Sequence, residues 1–137
     1  MPQDTRLARL LHVLIHMHLR GGSTTSSTIA AMLKTNPVVV RRTMAGLREA
    51  GYVISTGGRS GGWTLTTNFA QLTVADIHRA TRGGQVFAFG PATDNPQCPV
   101  EGAANRFLEA SMVFAEAALV DHLSSKTLIE IAREIRN

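Results

Sequence analysis

A chain of 137 residues with 44% hydrophobic residues can bury one core, or a small domain plus an oligomerisation element. No run approaches the roughly 18 to 20 apolar residues needed to cross a bilayer, and the single cysteine, Cys98, excludes an intrachain disulfide framework. The net charge of +4 is unevenly shared: residues 1–82 carry ten Lys or Arg against three acids, residues 83–137 four against seven.

A basic first half suggests a polyanionic partner, with an uneven scatter of solvated charge as the plain alternative. The N-terminus lacks the cationic start, apolar core and small-residue cleavage site of a signal peptide, so the expected place is the cytoplasm with no membrane partner. From Arg6 to Leu19, Leu7, Leu10, Leu11, Leu14, Ile15 and Met17 recur with a helical rhythm, and Gly21-Gly22 ends the helix. His12 and His16 stand four apart with His18 nearby, which is metal-pair spacing but fits a polar helix face better; no metal is expected. A Ser/Thr cluster then precedes a short helix with Ile29, Met32 and Leu33 inward.

The next stretch, TNPVVVRRTMAGLREAG, reads as a helix over Pro37 to Ala50. Asn36 is a good N-cap, Pro37 suits the first turn, and Gly51 suits the residue past the end. Val40, Met44 and Leu47 face inward, leaving Val38, Arg41, Arg42, Ala45 and Arg48 outward. The helix dipole and free amides near Asn36 favour a phosphate, while Arg41 and Arg42 can reach a major groove. Arg48, near the C-terminal end, reads as an ordinary surface residue.

Tyr52 to Thr56 and Trp63 to Thr66 read as two strands around the glycine-rich GGRSGG. A strand follows those glycines, not a helix, and no GK[ST] ends them, so a nucleotide cradle is excluded. A hairpin fits, with Arg59 near its tip. Thr73 to Thr81 forms another helix, with Thr73 and Asp76 in capping-box spacing; Thr127 and Glu130 repeat that spacing before a last helix through Ile135. Between them come a connector and a helix over Val100 to Leu123, about 36 Å long. Leu108, Met112, Ala115, Leu119 and Leu123 make one apolar stripe on it; Ala104, Phe107, Phe114 and Ala118 make a second. Two apolar flanks suggest that one faces the chain's own domain and the other a partner subunit.

The run SSTIAAMLKTNPVVVRRTMAGLREAGYVISTGGRSGGWTL, with LTVADIHRAT after it, resembles the Rrf2 family of bacterial winged-helix regulators. The resemblance extends through CPVEG, the long helix and the TLIEIA tail. It implies a mainly α fold with a small β-hairpin wing, a winged helix-turn-helix followed by a long C-terminal dimerisation helix. The expected division is a DNA-binding domain over 1–82, a connector or sensor loop over 83–99, and dimerisation and C-terminal helices over 100–137. The implied function is a homodimeric repressor, not an enzyme, that recognises an imperfect palindrome in double-stranded DNA with helix 37–50 and wing 57–62. The DNA-binding candidates are Asn36, Pro37, Val38, Arg41, Arg42 and Arg59, although several relatives carry the wing arginine where this chain has Gly57.

Cluster-binding relatives use three cysteines in the connector, and six residues to either side of Cys98 this chain has Ala92 and Ala104. No cofactor is therefore expected. For Cys98 three readings stand: an inert thiol, a redox sensor, or one ligand of a cluster shared between subunits. A winged-helix module for protein interaction, without DNA binding, is the alternative function.

Overall fold

In the computed structural model, residues 3–56, 62–66, 69–81, 86–87 and 89–135 are described. Helix α1, Arg6–Arg20, buries Leu10, Val13, Leu14, Ile15 and Met17 and runs through the centre of the core. It stops where Gly21 and Gly22 adopt φ of 70° and 66°, a left-handed conformation that costs glycine little. Thr25 caps α2, Ser26–Leu33, by accepting the Thr28 N–H at 3.1 Å.

Helix α3, Pro37–Glu49, follows after a short turn and buries Val40, Met44 and Leu47 completely. That burial offsets the poor helix propensity of three consecutive valines, about 0.5 kcal/mol each relative to Ala. Gly51, at φ 83°, lets the chain leave the helix and enter the sheet.

The sheet has three antiparallel strands in the order β1-β3-β2: β1 is Thr24–Thr25, β2 Val53–Ser55 and β3 Gly62–Leu65. The hairpin of β2 and β3 is the expected one. Strand β1 was not anticipated, because two threonines in a polar cluster show no alternation. It forms by pairing Thr24 with Trp63 and Thr25 with Gly62, which ties the start of α2 to the base of the hairpin.

Helices α4, Val74–Ala80, and α6, Leu128–Arg133, each begin with the expected capping box, Thr73 with Asp76 and Thr127 with Glu130. The two starts lie side by side through a bridge between Thr73 and Thr127, with Val74 N–H donating to the Lys126 carbonyl at 2.9 Å and Leu128 N–H to that of Leu72 at 3.0 Å. Leu128 and Ala132 of α6 join the core around α1. Although last in the chain, α6 is thus packed with the N-terminal helices, and it ends at Arg133 rather than Ile135.

Helix α5, Pro99–Leu123, spans about 37 Å and buries none of its residues. Leu123 reaches the core, and the stripe of Leu108, Met112, Ala115 and Leu119 is half-buried. The second stripe is open: Phe107 and Phe114 are 73% and 77% exposed. The chain's own domain therefore covers neither stripe fully.

Candidate nucleic-acid interface

Once Val40, Met44 and Leu47 are fixed inward, the opposite side of α3 must face solvent. Val38 is 57% exposed, and Arg41, Arg42 and Arg48 are exposed with it. At 3.6 residues per turn, residues seven apart share a flank. Arg41 and Arg48 therefore lie together on the side toward the hairpin, while Val38 and Arg42 occupy the middle of the exposed face.

The Arg41 and Arg48 flank opens onto a cleft of about 300 Å³, bounded by Ser26 at the start of α2 and by Ser55, Thr56, Gly62 and Trp63 of the hairpin. Trp63 Nε1 donates to Ser26 Oγ at 3.0 Å, and Thr56 Oγ1 both accepts from the Gly62 N–H at 2.9 Å and donates to its carbonyl at 3.1 Å. These bonds close the hairpin base on itself and tie it to the start of α2. Arg48, set aside on sequence because it lies near the helix end, borders the same cleft as Arg41. The available signal was the spacing of seven.

Arg42 borders a second cleft, of about 460 Å³, with Arg6, Leu10, Gly46, Ala80 and Thr81. There the Arg6 fork is engaged by Asp4 at 2.6 to 3.1 Å, and its hydrogen bonds lower the Asp4 carboxyl to about 2. Arg6 is thus a paired cation.

The amides at the start of α3 are not free for a phosphate, because Asn36 Oδ1 accepts from both Val38 N–H at 3.0 Å and Val39 N–H at 3.1 Å. Pro37 has no N–H to offer. The side-chain oxygen that makes Asn36 a good cap also occupies the backbone donors an anion would use. Asn36 and Pro37 are both exposed, so the positive end of the helix dipole still faces solvent. Arg59 and the rest of the wing tip, residues 57–61, lie outside the described residues.

In the second half, Cys98 is the half-buried N-cap residue of α5, its N–H bonded to the Asn95 carbonyl at 3.0 Å. Asn105 clamps the connector to α5: its amide donates to the Ala92 carbonyl at 2.9 Å and accepts the Ala92 N–H at 3.0 Å. Glu101 accepts the Asn95 N–H at 2.8 Å. On α1, the His12 and His16 rings lie 4.9 Å apart, whereas His18 stacks on Phe69.

The Rrf2 family model, described as iron-dependent transcriptional regulator, matches residues 3–134. The chain belongs to the Rrf2 family. Among Rrf2-like relatives, YwnA of Bacillus subtilis, described as an HTH-type transcriptional regulator, is 28% identical over 132 residues, 96% of this chain and 98% of YwnA. A solved structure described as a DNA-binding protein is 30% identical, with a TM-score of 0.70 over 92% of this chain and 97% of its own. A transcriptional regulator from Lactobacillus plantarum shares the fold at 19% identity, with a TM-score of 0.80 over 96% of this chain and 90% of its own. The fold is the winged helix-turn-helix of Rrf2 regulators, a family of DNA-binding transcriptional regulators.

The family description implies iron, and the donor set here does not fit a four-sulfur cluster. Cys98 is the single thiol of the chain, while such clusters take four cysteine ligands or substitute histidines for some of them. Among the described residues, no three His, Cys, Asp or Glu side chains come together as a metal site. No described helix is long and apolar enough to cross a membrane.

Proposed function

We propose that this Rrf2 protein is a cytoplasmic, homodimeric repressor that binds an imperfect palindrome in double-stranded DNA, by recognition and not by catalysis, and without an iron–sulfur cluster. The observation that carries this reading is the exposed face of α3, where Val38 and Arg42 stand in the middle and Arg41 at the hairpin edge, on a helix whose other side is fully buried. A rigid helix with a cationic, partly apolar face suits a major groove: arginine pairs with guanine, and a valine methyl packs on a thymine methyl. From its place in the sequence alone, Arg59 of the wing is assigned to the neighbouring backbone or minor groove. Pairing of two α5 helices would set two such faces about 34 Å apart, one turn of DNA.

Selection of bound fragments from genomic DNA, with and without an iron chelator, tests the reading. The expected outcome is enrichment of fragments sharing an inverted repeat, with half-site centres ~10 base pairs apart, unchanged by the chelator. Loss of enrichment with the chelator would contradict the cluster-free reading. No enrichment in either arm would instead favour a winged-helix module for protein interaction.

A further inference from the structure

Two features of the α3 surface concern where an anion can sit. At the start of the helix, Asn36 Oδ1 has taken the Val38 and Val39 amides and Pro37 has none, so residues 37–39 offer an approaching phosphate no backbone donor and only the Asn36 side-chain NH2 is left there. On the hairpin side, Arg41 and Arg48 border one cleft with no acidic residue among its described lining. Neither arginine forms an ion pair among the described residues. Their five-donor forks therefore face the cleft without a carboxylate partner.

Ser26 adds a third donor. An indole N–H can only donate, so in the bond from Trp63 Nε1 the Ser26 oxygen is the acceptor. The hydroxyl proton of Ser26 is left to turn toward the cleft. Thr56 is committed in both directions to Gly62, and its role is to fix the cleft wall.

From this arrangement we infer that the cleft between α3, the start of α2 and the hairpin base is a phosphodiester seat, in which Arg48, Arg41 and the Ser26 hydroxyl together hold one DNA backbone phosphate. The inference rests on the DNA-binding reading and deepens it, since it divides the basic residues of α3 by task. Val38 and Arg42 face the bases. Arg41 and Arg48 set the depth and register of the helix, because a phosphate held from two sides fixes the groove relative to α3. A guanidinium pair suits this better than amines, as each fork can bind two phosphate oxygens.

The test uses the full chain, a random-sequence duplex of ~30 base pairs and a duplex from the genomic selection, titrated by fluorescence anisotropy between ~50 and ~200 mM NaCl. Arg48→Ala is expected to weaken binding to both duplexes equally, roughly five- to ten-fold near 0.1 M salt, and to lower the slope of log affinity against log salt by about 0.9, one released counterion. Arg48→Lys keeps the charge, so most of the slope should return while part of the affinity stays lost. Arg48 is exposed, and an unchanged circular dichroism spectrum would show that the variant folds. An unchanged salt slope in Arg48→Ala, or a loss confined to the selected duplex, would overturn the seat while leaving DNA binding intact. If the wild-type chain binds neither duplex, the DNA-binding reading falls and the seat with it.

Discussion

Gly62 shows how a single residue can be fixed by a strand far upstream. A Cβ built on it would lie 2.7 Å from the Thr24 carbonyl oxygen and 2.7 Å from Ser23 Oγ. The serine could rotate away, but the carbonyl belongs to β1 and cannot. Gly62→Ala is therefore expected to push β1 off β3 and destabilise the domain by ~1 to 3 kcal/mol, read as a lower urea midpoint. A midpoint within error of wild type would mean that β1 yields freely. Other residues were legible because their reasons are local. Asn36, Pro37 and Gly51 announce the ends of α3 through their own chemistry, and each sits where that chemistry predicts. The reason for Gly62 is a distant neighbour, and GGRSGG alone identifies a turn but not which glycine is obligatory. The same holds for Arg48, whose position near a helix end hid the cleft it borders.

At the level of elements, the capping boxes identified α4 and α6 in advance, since Thr followed by an acid three residues later satisfies two orphan donors at once. The sequence could not show that these starts lie side by side, because the bridge between Thr73 and Thr127 joins segments separated by the whole of α5. The α4 box also carries a pH dependence. Burial pushes the Asp76 carboxyl up, but the Thr73 N–H at 2.9 Å, the Arg79 guanidinium and the Thr73 hydroxyl outweigh it and hold the group below its ordinary 3.8. A carboxylate depressed on folding stabilises the native state above its unfolded pKa, and that contribution is lost as pH falls through the folded value. Asp76→Ala is expected to cost about 1 kcal/mol at neutral pH. The gap between variant and wild type in urea midpoint should narrow as pH drops below 3.8. An equal gap at neutral and acid pH would mean that the charge of Asp76 contributes nothing to the cap.

At the scale of the molecule, the chain is a packed N-terminal domain, completed by α6, from which α5 extends with one apolar stripe half-buried and the other uncovered. The two stripes were legible from periodicity, because a helical pattern needs only the helix itself. Their separate destinations were not legible, because they depend on surfaces brought together by folding or by a second chain. Val100, Phe107, Val113 and Phe114 are each at least 68% exposed, which leaves a contiguous apolar surface in water. At its start Asn105 and Glu101 bind Ala92 and Asn95 of the connector, and at its end Leu123 packs against the core. The two-fold pairing proposed for α5 would, along that stretch, cover Phe107 and Phe114 of both copies. The wild-type chain should therefore sediment at about twice its 14.7 kDa, while Phe107→Glu with Phe114→Glu should sediment as a monomer with an unchanged circular dichroism spectrum. Two half-sites bound by one dimer gain from effective concentration, so the double variant should lose ~100-fold or more on a palindrome and far less on a single half-site. Should the variant stay dimeric, the stripe is not the interface; should the monomer bind both DNAs as wild type does, dimerisation has no part in recognition.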